Sequence, residues 1–217
     1  MPFIKCKSLR KEEILSEAEV EEMIEKAEIC FPEKASMIKC LIALLWLFGK
    51  RISEVLRLKR KDVWFDEHFL YVRFTVLKKK GEYKAVKKIT LKNPFVKHVI
   101  QYIQLIEEPE AWLFPGRSRP KVVKVKAKLR NGTVKTYEYE RVESGNMSRQ
   151  EAWRLLKKLN PTVWFHLFRD TVATKFAYEG ATPYELQSWF DWEKLETANK
   201  YIKRGSAFIE RLAQRVW

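Results

Sequence analysis

The sequence has 217 residues, 46% of them hydrophobic and 13% aromatic, enough for one substantial core and hardly for two. Its 43 Lys and Arg against 28 Asp and Glu leave a formal net charge of +15, which favours a polyanionic partner, nucleic acid first, over an acidic protein or a neutral small molecule. A membrane span is not expected, because the apolar run from Ile38 to Phe48 is broken by Lys39 and ends at Gly49-Lys50-Arg51, and Met1 to Lys5 has no signal-peptide core.

Residues 1–14 read as a charged lead-in. Ser16 and Glu19 make a capping box, with Leu15 and Val20 spaced as a hydrophobic staple, so a helix is expected from Glu17. A second, apolar on most sides, runs from about Glu33 to Phe48 and stops at Gly49. A short third helix carries Ile52, Val55, Leu56 and Leu58. The texture then changes to β-branched and aromatic residues over Val63 to Phe65, Phe69 to Leu77 and Ala85 to Leu91, predicting a small antiparallel sheet. Asn93-Pro94 is placed to cap a helix that leads to Pro109. Residues 121–142 flank Asn131-Gly132, a tight-turn dipeptide, and predict a basic β-hairpin with Lys124, Lys126, Lys128 and Arg130 on one face. Capping residues Ser148 with Glu151 and Thr182 with Glu185 place helices at about Arg149 to Leu159 and Pro183 to Phe190, with another from about His166 to Glu179 between them. Helices near Glu196 to Lys203 and over 204–217 complete the chain, giving a mainly α fold with a small antiparallel β-sheet, an α+β class. Cys6, Cys30 and Cys40 are odd in number and lack a CxxC spacing, so free buried thiols are expected, with no metal site.

Four boxes now occur in order. Phe48-Gly49-Lys50-Arg51-Ile52-Ser53-Glu54 presents an arginine and an acid three residues apart, and Lys78, Lys79 and Lys80 lie at the turn between two predicted strands. His166-Leu167-Phe168-Arg169 opens a helix, and Trp192 is followed through Thr197 by Tyr201. Alone, each has a plain explanation: a helical ion pair for Arg51 and Glu54, a solvated turn for the lysines, a structural His166, core aromatics for Trp192 and Tyr201. Jointly, in this order and spacing from about Leu15 to Tyr201, they resemble the tyrosine recombinase, or phage integrase, family, an archaeal or archaeal-virus type among them.

The resemblance implies a single catalytic domain over 1–217 that cleaves and rejoins DNA through a 3′-phosphotyrosyl intermediate. Arg51 and Arg169 would stabilise charge on the scissile phosphate, since guanidinium groups offer paired donors and stay protonated. Lys79, with Lys78 and Lys80 as competitors, would protonate the leaving 5′ oxygen, and His166 would accept or relay the proton of the Tyr201 nucleophile. Glu54 would orient His166 or Arg51, and Trp192 would donate its indole N–H to phosphate and pack the nucleophile's helix. No metal, cofactor or ATP is implied. The partners implied are double-stranded DNA and further copies of the chain, as a dimer or tetramer on DNA, in the cytoplasm at the nucleoid or in a host cell's cytoplasm.

The sequence departs from the family's habit at Phe190-Asp191-Trp192, where Leu-Gly-His is common, and at Asp170, where His is common. The DNA-clamping N-terminal core-binding domain is expected to be absent, since only about a dozen residues precede the first helix. Residues 204–217 read as an inter-subunit tether or as a helix packed in cis. The competing readings are a type IB topoisomerase-like nicking and resealing enzyme and a non-catalytic DNA-binding module on the same scaffold. The basic hairpin would track phosphates, or serve as an edge whose lysines discourage aggregation.

Overall fold

The computed structural model describes residues 14–76, 83–117, 119–128, 134–143 and 145–204. It is mainly helical with a small sheet. Helix α1 (Glu17–Cys30) begins at the expected capping box, in which the Ser16 hydroxyl accepts from the Glu19 N–H and the Glu19 carboxylate accepts from the Ser16 N–H. A 3₁₀ turn over Pro32–Lys34 then precedes α2 (Ala35–Phe48). Met37, Ile38 and every residue from Cys40 to Phe48 are buried, so α2 is the central helix, covered by α1, by α4 (Val96–Ile103) and by α6 (Phe165–Tyr178). A helix apolar all round can exist in water only where other elements surround it.

After the single turn of α3 (Ile52–Val55), β1 (Val63–Phe65), β2 (Phe69–Val76) and β3 (Tyr83–Thr90) form an antiparallel sheet in the order β1-β2-β3. On β2 the buried residues Leu70, Val72, Phe74 and Val76 alternate with half-buried ones, the two-residue period of a strand with one face in a core. Arg60 fastens the sheet to α4 by donating to the carbonyls of Ile103 and Val63. The start of α4 differs from expectation: Asn93 and Pro94 lie in a turn where the Asn93 side chain accepts from the Phe95 N–H, and the helix begins only at Val96. Asn93 thus closes a local Asx turn in place of capping the helix.

The hairpin is present as β4 (Arg119–Lys128) and β5 (Val134–Glu143). Its register opposes Lys128 to Val134, whereas a two-residue turn at Asn131-Gly132 would oppose Lys128 to Lys135. The ladder is therefore offset by one residue from the tight turn expected; the turn itself and Arg130 lie outside the described residues. In that register Lys124 lies opposite Glu138, Lys126 opposite Thr136 and Lys128 opposite Val134.

Helices α5 (Arg149–Leu159), α6, α7 (Pro183–Phe190) and α8 (Leu195–Arg204) follow. A second apolar cluster gathers Val172, Ala173, Ala177, Leu186, Phe190, Ala198 and Tyr201 from α6, α7 and α8. Trp189 packs against both this cluster and the main core, and the Leu15 N–H donates to the Thr171 hydroxyl of α6. Cys40 is buried as expected; Cys30, in the last turn of α1, is exposed, because that end of the helix carries only part of the buried stripe. The expected 204–217 helix lies beyond the described residues, except for Arg204 itself at the end of α8. No helix among the described residues is long and apolar enough to cross a membrane.

Candidate active site

The site begins where α2 ends. Gly49 has φ +57, a left-handed conformation that reverses the chain at the helix end, and a Cβ there would lie 2.8 Å from the Phe190 ring and 2.9 Å from Val172 Cβ. The reversal delivers Arg51 to the start of α3. There the Glu54 carboxylate accepts from the Arg51 backbone N–H at 3.0 Å and from Nη1 at 2.9 Å. Glu54 is 2% exposed and Arg51 23%, so the acid is buried beneath a guanidinium that still reaches the surface. Of the two roles expected for Glu54, its contacts are those of a holder of Arg51.

Helix α6 supplies three polar residues on neighbouring faces. Arg169 is 2% exposed, and its terminal nitrogens donate to the carbonyls of Gly49 at 3.0 Å and Phe190 at 2.8 Å. Its guanidinium also lies over the rings of Phe190 and Trp192. Burial, then the nearby charge of Arg51, pull its pKa down to about 10, against the opposing influence of Glu54, Tyr201 and Asp191. Arg169 thus ties the Gly49 turn to the end of α7 and delivers its charge from inside the wall of the site. His166, one turn earlier, is 66% exposed, and its Nε2 lies 3.7 Å from Asp170 Oδ1.

Tyr201, on α8, is 9% exposed, and its hydroxyl donates to Asp170 Oδ1 at 2.6 Å. Its ring stacks on Trp192 with centroids 5.2 Å apart and planes 3° from parallel. Trp192 in turn stacks on Phe190. The nucleophile candidate is therefore fixed on one face by an indole and at its tip by a carboxylate. The acceptor of the phenol's hydrogen is Asp170, and His166 faces that same carboxylate oxygen from the solvent side.

The turn between α7 and Trp192 holds a feature that the four sequence boxes do not single out. Asp191 caps α7 in the left-handed region, φ 53, where Gly or Asn is the usual occupant. Its carboxylate accepts from Lys50 Nζ at 2.5 Å and sits 3.6 Å from Lys87 Nζ. Lys50, 1% exposed, donates also to the Trp189 carbonyl at 2.6 Å, and Lys87, from β3, donates to the Ser188 carbonyl at 2.6 Å. The Trp189 indole donates to the Phe48 carbonyl. Burial lowers the Lys50 pKa to about 8 in spite of Asp191. Lys50 and Asp191 each precede a site residue, Arg51 and Trp192, so one buried ion pair fastens the two loops together. The available signal was a lysine at the end of an otherwise apolar run facing an acid at a glycine-like position. For Asp170 it was the four-residue spacing from His166, which puts both on one helix face.

Arg51, Glu54, Arg169, Trp192 and Tyr201 are thus brought together, with His166 at the rim. Lys78, Lys79 and Lys80 lie outside the described residues, beyond the last ladder pair, Val76 with Tyr83. The hairpin makes its own separate two-stranded sheet. Arg169 feels the charges of Arg51, Glu54, Tyr201 and Asp191, Asp191 also faces Lys50 and Lys87, and Asp170 holds the phenol, so four cations stand against three acids in one connected network, a balance suited to an anionic ligand.

A model of the phage integrase family matches residues 13–206. No curated protein sequence matches the chain. Among solved structures, XerA recombinase is similar at 18% identity and a TM-score of 0.60, over 94% of this chain and 63% of that one. XerH site-specific recombinase bound to its difH substrate, in a pre-cleavage complex, is similar at 16% identity and a TM-score of 0.57, over 87% of this chain and 49% of that one. The catalytic domain of bacteriophage HP1 integrase is similar at 12% identity and a TM-score of 0.54, over 93% of each chain. At these identities the likeness establishes the fold, and the chain spans less than two thirds of the XerA and XerH chains. With the family's model running through the Gly49 turn, α6 and Tyr201 alike, the chain belongs to the phage integrase family.

Proposed function

We infer that this chain is the catalytic domain of a site-specific tyrosine recombinase that cleaves and rejoins double-stranded DNA through a 3′-phosphotyrosyl link at Tyr201. The observation that carries this reading is the fixed phenol: a ring stacked on Trp192, its hydroxyl anchored at Asp170, in a wall built around Arg169 and Arg51. Attack by the phenol oxygen on a phosphodiester places negative charge on the non-bridging oxygens. Arg51, partly exposed, donates to them directly, while Arg169 acts on the same charge from within a low-dielectric wall, where it is less screened. Trp192 keeps the ring from swinging away from the line of attack. Lys79 gives the proton that the departing 5′ oxygen needs. Rejoining reverses these steps, and the phosphotyrosyl bond conserves the backbone's energy, so ATP has no role.

XerH is described bound to its difH substrate, and the Tn1549 transposon integrase in complex with transposon end DNA. Duplex DNA is accordingly the partner proposed here, with several protomers assembled on paired sites and working in the cytoplasm, at the nucleoid or on a host's DNA. The test uses a pool of nicked suicide duplexes of randomised sequence, in which the freed 5′ fragment diffuses away and traps the covalent species. The wild type is expected to give a protein–DNA adduct stable to denaturing electrophoresis, and Tyr201→Phe none. An adduct of equal yield from Tyr201→Phe refutes the assignment.

A further inference from the structure

We propose that Asp170 is a catalytic residue, the group that takes the proton from Tyr201 as the phenol attacks, with His166 passing that proton on to water. This rests on the recombinase reading of Tyr201. Its support is geometric. The phenol donates to Asp170 Oδ1 at 2.6 Å, His166 Nε2 stands 3.7 Å from that same oxygen, and the imidazole is 66% exposed. Exposure rises from the buried nucleophile, 9%, through Asp170, 29%, to the imidazole at the surface. Asp170 and His166 are four residues apart on α6, so the helix itself holds the carboxylate and the imidazole on one face.

The step balances without another reactant. The Tyr201 oxygen forms its bond to phosphorus, the bond from phosphorus to the 5′ oxygen breaks, and the leaving oxygen takes a proton from the general acid. The phenol's proton passes to the Asp170 carboxylate, from there to His166 once the 3.7 Å gap to its Nε2 closes or a water bridges it, and from the imidazole to water. A free phenol is a far weaker acid than a free carboxylic acid. The transfer therefore runs in concert with formation of the oxygen–phosphorus bond, which drains charge from the phenol oxygen and makes its proton acidic. In rejoining the relay runs backward: His166 takes a proton from water and passes it to Asp170, which gives it to the departing phenolate. The nearest partner of the nucleophile's hydrogen is thus the residue at which this chain departs from the family's common histidine.

The experiment measures single-turnover cleavage on the duplex recovered from the wild-type adduct, comparing wild type, Asp170→Asn, Asp170→Ser and His166→Gln. Both Asp170 variants are expected to slow cleavage about 10²–10³-fold, the range of a lost general base, with DNA affinity and melting temperature preserved. His166→Gln is expected to lose less, because water can take the proton from a partly exposed carboxylate. A second substrate carries sulfur in place of the bridging 5′ oxygen, a leaving group that needs no proton. At neutral pH it is expected to restore cleavage by Lys79→Ala and to leave Asp170→Asn slow, which places the Asp170 defect on the nucleophile's side of the reaction. On the same substrate, raising the pH toward the free phenol's pKa of about 10 is expected to recover Asp170→Asn, because an ionised phenol needs no base, a gain that a purely structural role for Asp170 would not produce. Wild-type rates in both Asp170 variants overturn the proposal, as does a greater loss in His166→Gln, rescue of Asp170→Asn by the sulfur substrate at neutral pH, or a defect that rising pH leaves unchanged. Absence of any adduct from the wild type would instead defeat the recombinase reading itself.

Discussion

Replacing Lys50 with Met should remove a pH-dependent part of the protein's stability. Lys50 is 1% exposed, and burial pulls its pKa down to about 8 although Asp191 opposes the shift. An unfolded chain holds a lysine proton to about pH 10.4. Below about pH 8 both states are protonated, and the native state bears the cost of a buried ammonium. From about pH 8 upward the native state has released a proton that the unfolded state still binds, and stability rises with pH wherever the unfolded state binds more protons. The gap between about 8 and the ordinary 10.5 corresponds to about 3 kcal/mol, gained across that window. The buried Cys40 thiol, whose pKa burial raises, works in the opposite direction, but it is common to both proteins and cancels in their difference. Urea denaturation of wild type and Lys50→Met, from pH 7 to pH 10, reads this directly. The difference should shift in favour of the wild type by about 1.4 kcal/mol per pH unit above pH 8. A difference that stays constant over the range would mean that native Lys50 holds its proton as the unfolded chain does, refuting the lowering by burial.

Gly49→Ala should cost about 1–2 kcal/mol for the left-handed backbone and about 1–3 kcal/mol more for pushing a Cβ onto Phe190 and Val172. A fall in denaturation free energy of under about 1 kcal/mol would mean that the turn is looser than its contacts indicate. In the hairpin, charge reversal at Lys124, Lys126 and Lys128 should flatten the dependence of log binding constant on log salt, by up to about 0.9 for each phosphate that is no longer neutralised. An unchanged slope would assign those lysines to edge protection.

The helices were legible where the code is local. Ser16 with Glu19 and Thr182 with Glu185 start their helices through short-range hydrogen bonds, and α5 and α7 run as read. The sheet was legible because β2 buries every second residue. Boundaries slipped where a local turn competed with a helix, as at Asn93, and where register depends on loop geometry, as in the hairpin. Within the site, the three-residue spacing of Arg51 and Glu54 offered their pairing as one of two roles for Glu54, and it is the one their contacts make. The Lys50–Asp191 pair links residues 141 positions apart, and the Tyr201–Asp170 bond residues 31 apart, so neither is a matter of spacing along the chain. The burial of Arg169 under Phe190 and Trp192 is likewise a product of how α6 and α7 pack.

Which atom carries the DNA is the central question. Nuclease and protease digestion of the trapped adduct, followed by peptide mass spectrometry, locates the phosphate. A 3′-nucleotide attached to the peptide containing Tyr201 is the expected result. A nucleotide found instead on Tyr178 or Tyr184, the exposed tyrosines of α6 and α7, would contradict it.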